Sequence, residues 1–179
     1  MLQANVAQLF EYQRERLQLL LVCGNLDAPI AINHQHASPA DLVGHLNLIH
    51  PDRIQVIGAP EINWATKQHA VRVSRHMDEI IASHPPAVIV ADGCPIPATV
   101  REACERSSTA LFSTPQAAAT VIDLLRIWLS RQLAETTELH AVMMDVLGMG
   151  VLITGDSGVG KSELALELRN QGQLEIATR

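Results

Sequence analysis

The run Gly155-Asp156-Ser157-Gly158-Val159-Gly160-Lys161-Ser162 is the part of this sequence whose residue types and spacing can do chemistry. It fits G-x-x-x-x-G-K-[ST], the phosphate-binding loop. Glycines let the backbone curl so that successive N–H groups point inward at phosphate oxygens. A helix that follows turns the positive end of its dipole on the same anion. In such a loop the lysine, here Lys161, reaches the β- and γ-phosphates, and the hydroxyl, here Ser162, ligates Mg²⁺. Four positions are specified, so a chance match in a chain of this length is on the order of one per cent, with Gly near 7% of average composition. The loop does not say what becomes of the nucleotide. ATPases, GTPases and kinases share it, and a typical one holds a second acidic residue for Mg²⁺ further on. No such strand-end acid follows Lys161 here.

Elements of the right kind flank the loop. An apolar strand over 151–154 leads in, and strong helix formers with Leu164, Leu166 and Leu168 lead out. Before them, 140–147 reads as a second apolar strand, and Gly148-Met149-Gly150 between the two predicts a hairpin. The polar stretch 130–138 has no apolar periodicity and is the expected domain boundary. It divides the chain into an N-terminal α/β domain, 1–133, and a second domain beginning at 134.

Within the first domain, Val6, Leu9 and Phe10 predict a short helix over 4–13. The apolar run 17–23, stopped by Gly24-Asn25, predicts a buried strand, and 28–32 a short one. Ser38-Pro39 opens a helix. Strands are expected at 53–58, 87–91 and 110–112, and helices at 62–83, 97–106 and 116–133. Strands alternating with helices argue for an α/β domain with a partly parallel sheet.

Composition narrows the function classes. The 179 residues carry 13 Lys+Arg against 19 Asp+Glu, a net charge of −6. That balance argues against gripping nucleic acid or an anionic membrane. At 47% hydrophobic the chain can bury a core, which at 3% aromatic must be mostly aliphatic. No apolar stretch approaches the ~18 residues of a membrane span, and the N-terminus lacks a signal-peptide pattern. Cys23, Cys94 and Cys104 are odd in number and widely spaced, as in small buried residues of a reduced, cytoplasmic protein. The spacing of His34, His36, His45, His50, His69, His76 and His84 matches no metal site.

Four stretches carry a resemblance: 44–58 (Gly44 to Gly58), 123–129 (Asp-Leu-Leu-Arg-Ile-Trp-Leu), 140–147 (His-Ala-Val-Met-Met-Asp-Val-Leu) and 150–168. In these the chain resembles the bacterial HPr kinase/phosphorylase family, of the proteobacterial type. The resemblance covers most of residues 6–172. It implies a catalytic domain akin to the nucleotide-binding core of phosphoenolpyruvate carboxykinase. It also implies a hexamer that phosphorylates a serine of the phosphocarrier protein HPr with ATP and Mg²⁺, and reverses this by phosphorolysis. His140 matches the family's active-site histidine, Lys161 its phosphate-binding lysine and Ser162 its Mg²⁺ ligand. The N-terminal domain is, by the same resemblance, a separate α/β module.

After Gly172 the family continues towards Ala-Asp-Asp, whose second Asp is the acid/base of phosphoryl transfer. Here Ala177 is followed by Thr178 and Arg179. Thr is too weak an acid for that role, and Arg is always protonated. A match that stays close to Gly172 and then dissolves is expected of the opening part of a longer enzyme. A natural shortened product, acting in binding or assembly without catalysis, is the competing expectation, and a different phosphate-loop ATPase a third.

Overall fold

The computed structural model describes residues 4–32, 38–134, 139–146 and 148–170. The chain divides into two compact units, residues 1–135 and 136–179. In chain order, the first contains β1 (Ala4–Asn5), α1 (Val6–Leu17), β2 (Leu20–Cys23), β3 (Pro29–Ile30), a 3₁₀ turn (Pro39–Leu42), β4 (Val43–His45) and β5 (Ile54–Ile57). It continues with α2 (Ala59–Thr66), α3 (Ala70–Ile81), β6 (Ala87–Val90), α4 (Ala98–Ser107), β7 (Ala110–Ser113) and α5 (Ala118–Gln132).

Five strands form one sheet in the order β2-β7-β6-β5-β4. β4 to β7 run parallel, and β2 closes the β7 edge antiparallel. Parallel strands covered on both faces read as continuous apolar runs, and Ala87-Val88-Ile89-Val90 is one, every residue fully buried. Alternate side chains feed two cores. Ala87, Ile89, Ala110 and Phe112 join α1 and α5 on one face. Val88, Val90 and Leu111 join Met77, Ile81, Val100 and Cys104 of α3 and α4 on the other. The chain is therefore α/β with a partly parallel sheet, as the alternation of strands and helices predicts.

One buried polar group has a structural task. Gln55 of β5 is fully enclosed. Its amide nitrogen donates to the carbonyls of His50, at 2.8 Å, and Arg53, and its amide oxygen accepts from the Asn47 N–H at 3.2 Å. A buried amide persists only when so satisfied. Here it ties the 46–53 loop down against the sheet.

Several sequence expectations are corrected. The helix expected over 4–13 runs from Val6 to Leu17, because the Asn5 side chain caps the Gln8 N–H and Gln8 returns the bond. Gln18 then turns the chain in the left-handed region, φ +51°, so the strand begins only at Leu20 and lies half-exposed on the sheet edge rather than buried. The helix expected over 62–83 is two, α2 and α3, parted at Lys67-Gln68-His69. Ser38-Pro39 opens a single 3₁₀ turn. Cys104 is buried as expected, but Cys23 and Cys94 are only half-buried.

Candidate functional site

In the second unit, β8 (Ala141–Val146) and β9 (Met149–Thr154) pair antiparallel, and α6 (Lys161–Asn170) follows. The register runs from Val146 opposite Met149 to Ala141 opposite Thr154. The turn is shaped by Asp145, whose carboxylate accepts the Gly148 N–H at 2.8 Å. Met144 of β8 and Ala165 of α6 are both buried where the helix packs on the hairpin. Strand, loop and helix thus follow one another as the sequence predicts.

His140 directly precedes Ala141, which pairs with Thr154, the residue before the loop. It therefore stands at the end of the hairpin from which the loop departs. His140 is exposed there, and no hydrogen bond joins its side chain to the loop among the described residues.

The loop from Gly155 to Gly160 is exposed for most of its length. Gly158 and Gly160 have φ of +84° and +88°, left-handed backbone that a side chain would strain. A Cβ at Gly158 would meet nothing within 4 Å, so the space beside that residue is open. α6 begins on Lys161 itself. Its first intrahelical bond runs from the Leu164 N–H to the Gly160 carbonyl at 2.9 Å. The N–H groups of Lys161, Ser162 and Glu163 precede that bond and are the orphan donors of a helix start, with the dipole behind them. The Lys161 ammonium folds back over the loop and donates to the carbonyls of Gly155 at 2.7 Å and Asp156 at 2.6 Å. Asp156, Ser157, Val159 and Ser162 lie exposed along the same stretch.

The donor set fits a nucleotide phosphate: an ammonium and the free N–H groups of a helix start, on an exposed glycine turn. Ser162, one position into α6, is the hydroxyl available to Mg²⁺. Among the described residues no group of three or more His, Cys, Asp or Glu gathers to hold a metal ion. The tie from Lys161 to the two carbonyls had no sequence signal. The expected Asp pair falls on Thr178 and Arg179, outside the described residues.

A strand, a left-handed glycine turn and a helix that starts on a lysine have the geometry of a phosphate loop, appended to a separate parallel α/β unit. That combination has a counterpart among known proteins. Residues 4–129 match the family described as HPr Serine kinase N terminus, and residues 131–178 match the HPr Serine kinase C-terminal domain. The chain belongs to the HPr serine kinase family. It is 56% identical over 177 residues to the HPr kinase/phosphorylase of Azoarcus sp. (strain BH72), covering 99% of this chain and 56% of that protein. It is 55% identical over 177 residues to the HPr kinase/phosphorylase of Aromatoleum aromaticum, over the same shares. With that of Paraburkholderia xenovorans it shares 58% identity over 140 residues, 78% of this chain and 44% of the relative. The chain spans about half the length of the curated relatives it matches.

Proposed function

We propose that this chain forms part of an HPr serine kinase/phosphorylase. With ATP and Mg²⁺ the protein phosphorylates a serine of the phosphocarrier HPr, and with inorganic phosphate it reverses the transfer. The observation that carries this reading is the loop geometry within a family match spanning both units: Lys161 at the first position of α6, over an open left-handed turn. Phosphoryl transfer asks a protein mainly for positioning and charge stabilisation. The N–H groups of the turn and of the first turn of α6 hold phosphate oxygens in line. Lys161 exchanges the Gly155 and Asp156 carbonyls for phosphate oxygens, trading two neutral acceptors for charged ones that bind about twice as strongly. Mg²⁺, when bound, neutralises charge on the phosphates, and Ser162 is the residue that holds it here. His140, at the end of the hairpin next to the loop, hydrogen-bonds the transferring group or holds the proton in play.

The family resemblance adds homohexameric assembly and a cytoplasmic site of action. Among the described residues no helix is long and apolar enough to cross a membrane. The 179-residue chain by itself is expected not to transfer phosphate, because Thr178 and Arg179 stand where the family has its acid/base Asp.

The test uses the longer protein, γ-labelled ATP, Mg²⁺ and HPr. Label on an HPr serine is expected, with its release as pyrophosphate on adding inorganic phosphate. Lys161→Ala in that protein should abolish both reactions. ATP hydrolysis with no label on HPr would overturn the proposal and point to a different phosphate-loop ATPase.

A further inference from the structure

The first unit holds a cavity of about 540 Å³, within the ~300–1,000 Å³ range of small-molecule sites. It opens at the carboxyl ends of β4 and β5. Its walls are the 46–49 segment after β4, the end of β5, α2, one face of α3 and the start of α4. Three observations mark it as built to be filled. First, α2 buries none of its eight residues. Pro60, Trp64 and Ala65 line the cavity, and Ile62 lines it while packing against the core at its edge. Second, Leu48, Ile49 and Trp64 around the cavity are 42%, 82% and 40% exposed, an apolar surface of the kind that marks an interaction site. Third, the loop wall is anchored from within the sheet by Gln55, so the cavity is formed before anything enters it.

The chemistry of the lining selects the occupant. Polar groups at the site are already matched to one another. Glu61 accepts the Gly58 N–H at 2.9 Å and faces His45 Nδ1 at 3.3 Å. Asn47 accepts from the Ile49 and His50 N–H groups and donates to the His45 carbonyl. An anion would therefore be desolvated among carbon walls beside the Glu61 carboxylate with no counter-charge to meet it, and Glu61 is already engaged by the Gly58 N–H and His45. One polar group is left over. His76 is half-buried, rests at 49° against the Trp64 ring with centroids 5.6 Å apart, and makes no hydrogen bond among the described residues. Paired aromatic rings present flat faces on which a third ring stacks or tilts.

We propose that this cavity binds an uncharged, ring-bearing apolar small molecule with a single hydrogen-bonding group, stacked at Trp64 and anchored by His76. The site lies wholly within the first unit and makes no use of the phosphate loop.

The proposal is tested on the ¹⁵N-labelled 179-residue chain titrated with 2-naphthol, and separately with 2-naphthoate as its charged analogue. Saturable amide shifts with 2-naphthol are expected at 46–49, 60–65 and 73–77, with binding of 2-naphthoate at least tenfold weaker. Ala65→Phe, which fills the cavity from α2, should weaken 2-naphthol at least tenfold while circular dichroism and Tm stay at the parent values. Should Ala65→Phe lower Tm, Val73→Phe fills the same space from α3. His76→Leu should weaken 2-naphthol several-fold and leave naphthalene unchanged. Absence of saturable binding at millimolar 2-naphthol would overturn the proposal. So would shifts confined to β8, β9 and α6, equal binding of the two probes, or cavity-filling variants that bind as the parent does.

Discussion

Asp92 offers a quantitative test of how the first unit is held together. It follows β6 with φ +58°. One carboxylate oxygen accepts the Ala59 N–H at 2.7 Å, and the other accepts the Ala118 N–H at 2.9 Å. Ala59 and Ala118 are the first residues of α2 and α5, so one side chain caps two helices. Replacing a capping carboxylate by Ala costs about 1 kcal/mol per helix, and part of that is charge–dipole attraction. Two caps at about 1 kcal/mol each mean that Asp92→Ala should cost about 2 kcal/mol in all. For a unit of this size that is a fall in Tm of roughly 6 °C. Asp92→Asn tolerates the left-handed backbone but turns a donor amide towards one of the two N–H groups, and should cost about half as much. Thermal unfolding by circular dichroism is the assay, with Asp123→Ala as the control. Asp123 is an exposed carboxylate within α5, where the change should stay within about 0.5 kcal/mol. Raising salt should shrink the Asp92→Ala deficit by screening the dipole. If Asp92→Ala unfolds within 1 °C of the parent, the two bonds do not support the helices and the reasoning fails.

Three other outcomes are expected. A Cβ at Gly24 would lie 2.1 Å from the Thr109 carbonyl oxygen with the backbone at φ +93°, so Gly24→Ala should cost about 3 kcal/mol in chemical denaturation. Burial pushes the Cys104 thiol up to about 12, and burial raises Cys23 and Cys94 by less. At pH 8, iodoacetamide should therefore modify Cys94 and Cys23 slowly and leave Cys104 intact, as peptide mass mapping would show. Because the folded pKa of Cys104 is raised, its stabilising effect is complete below the ordinary thiol value near 9 and is lost as pH climbs towards about 12. Denaturant midpoints should fall across that window, and less so in Cys104→Ala.

The parts of the fold legible in the sequence are those where local pattern and tertiary packing agree. Ala87-Val88-Ile89-Val90 is β-branched, bounded by Pro86 and Asp92-Gly93, and buried on both faces, so pattern and environment coincide. Leu17 and Leu19 illustrate the opposite. Both are fully buried, yet a helix ends between them at a left-handed glutamine, with no glycine to mark the turn. β4 escaped notice because Val43-Gly44-His45 is short and carries a glycine. That glycine answers to a partner eight or more residues away, since a Cβ there would lie 2.6 Å from the Arg53 guanidinium. The division of α2 from α3 has no breaker residue either. α3 follows its own apolar stripe of Val73, Met77, Ile80 and Ile81 into the core, while α2 buries nothing. At the candidate site, the glycine turn and the helix that follows it were legible because the motif is local. The position of His140 at the loop end of the hairpin depends on strand pairing, and the fold of Lys161 onto two carbonyls depends on side-chain geometry that spacing does not encode.

The grip of Gln55 on the 46–53 loop is made through main-chain atoms: the carbonyls of His50 and Arg53 and the N–H of Asn47. The loop's path is thereby separated from the identity of its side chains. Leu48, Ile49 and His50 can be exchanged without loosening the anchor, whereas Gln55→Leu would remove the segment's ties to the sheet interior and leave it held by the Asn47 side chain and the Leu46 N–H. A family could thus retune the mouth of this cavity from one member to the next by surface substitutions alone. The single amide inside the sheet would be the fixed point around which that variation turns.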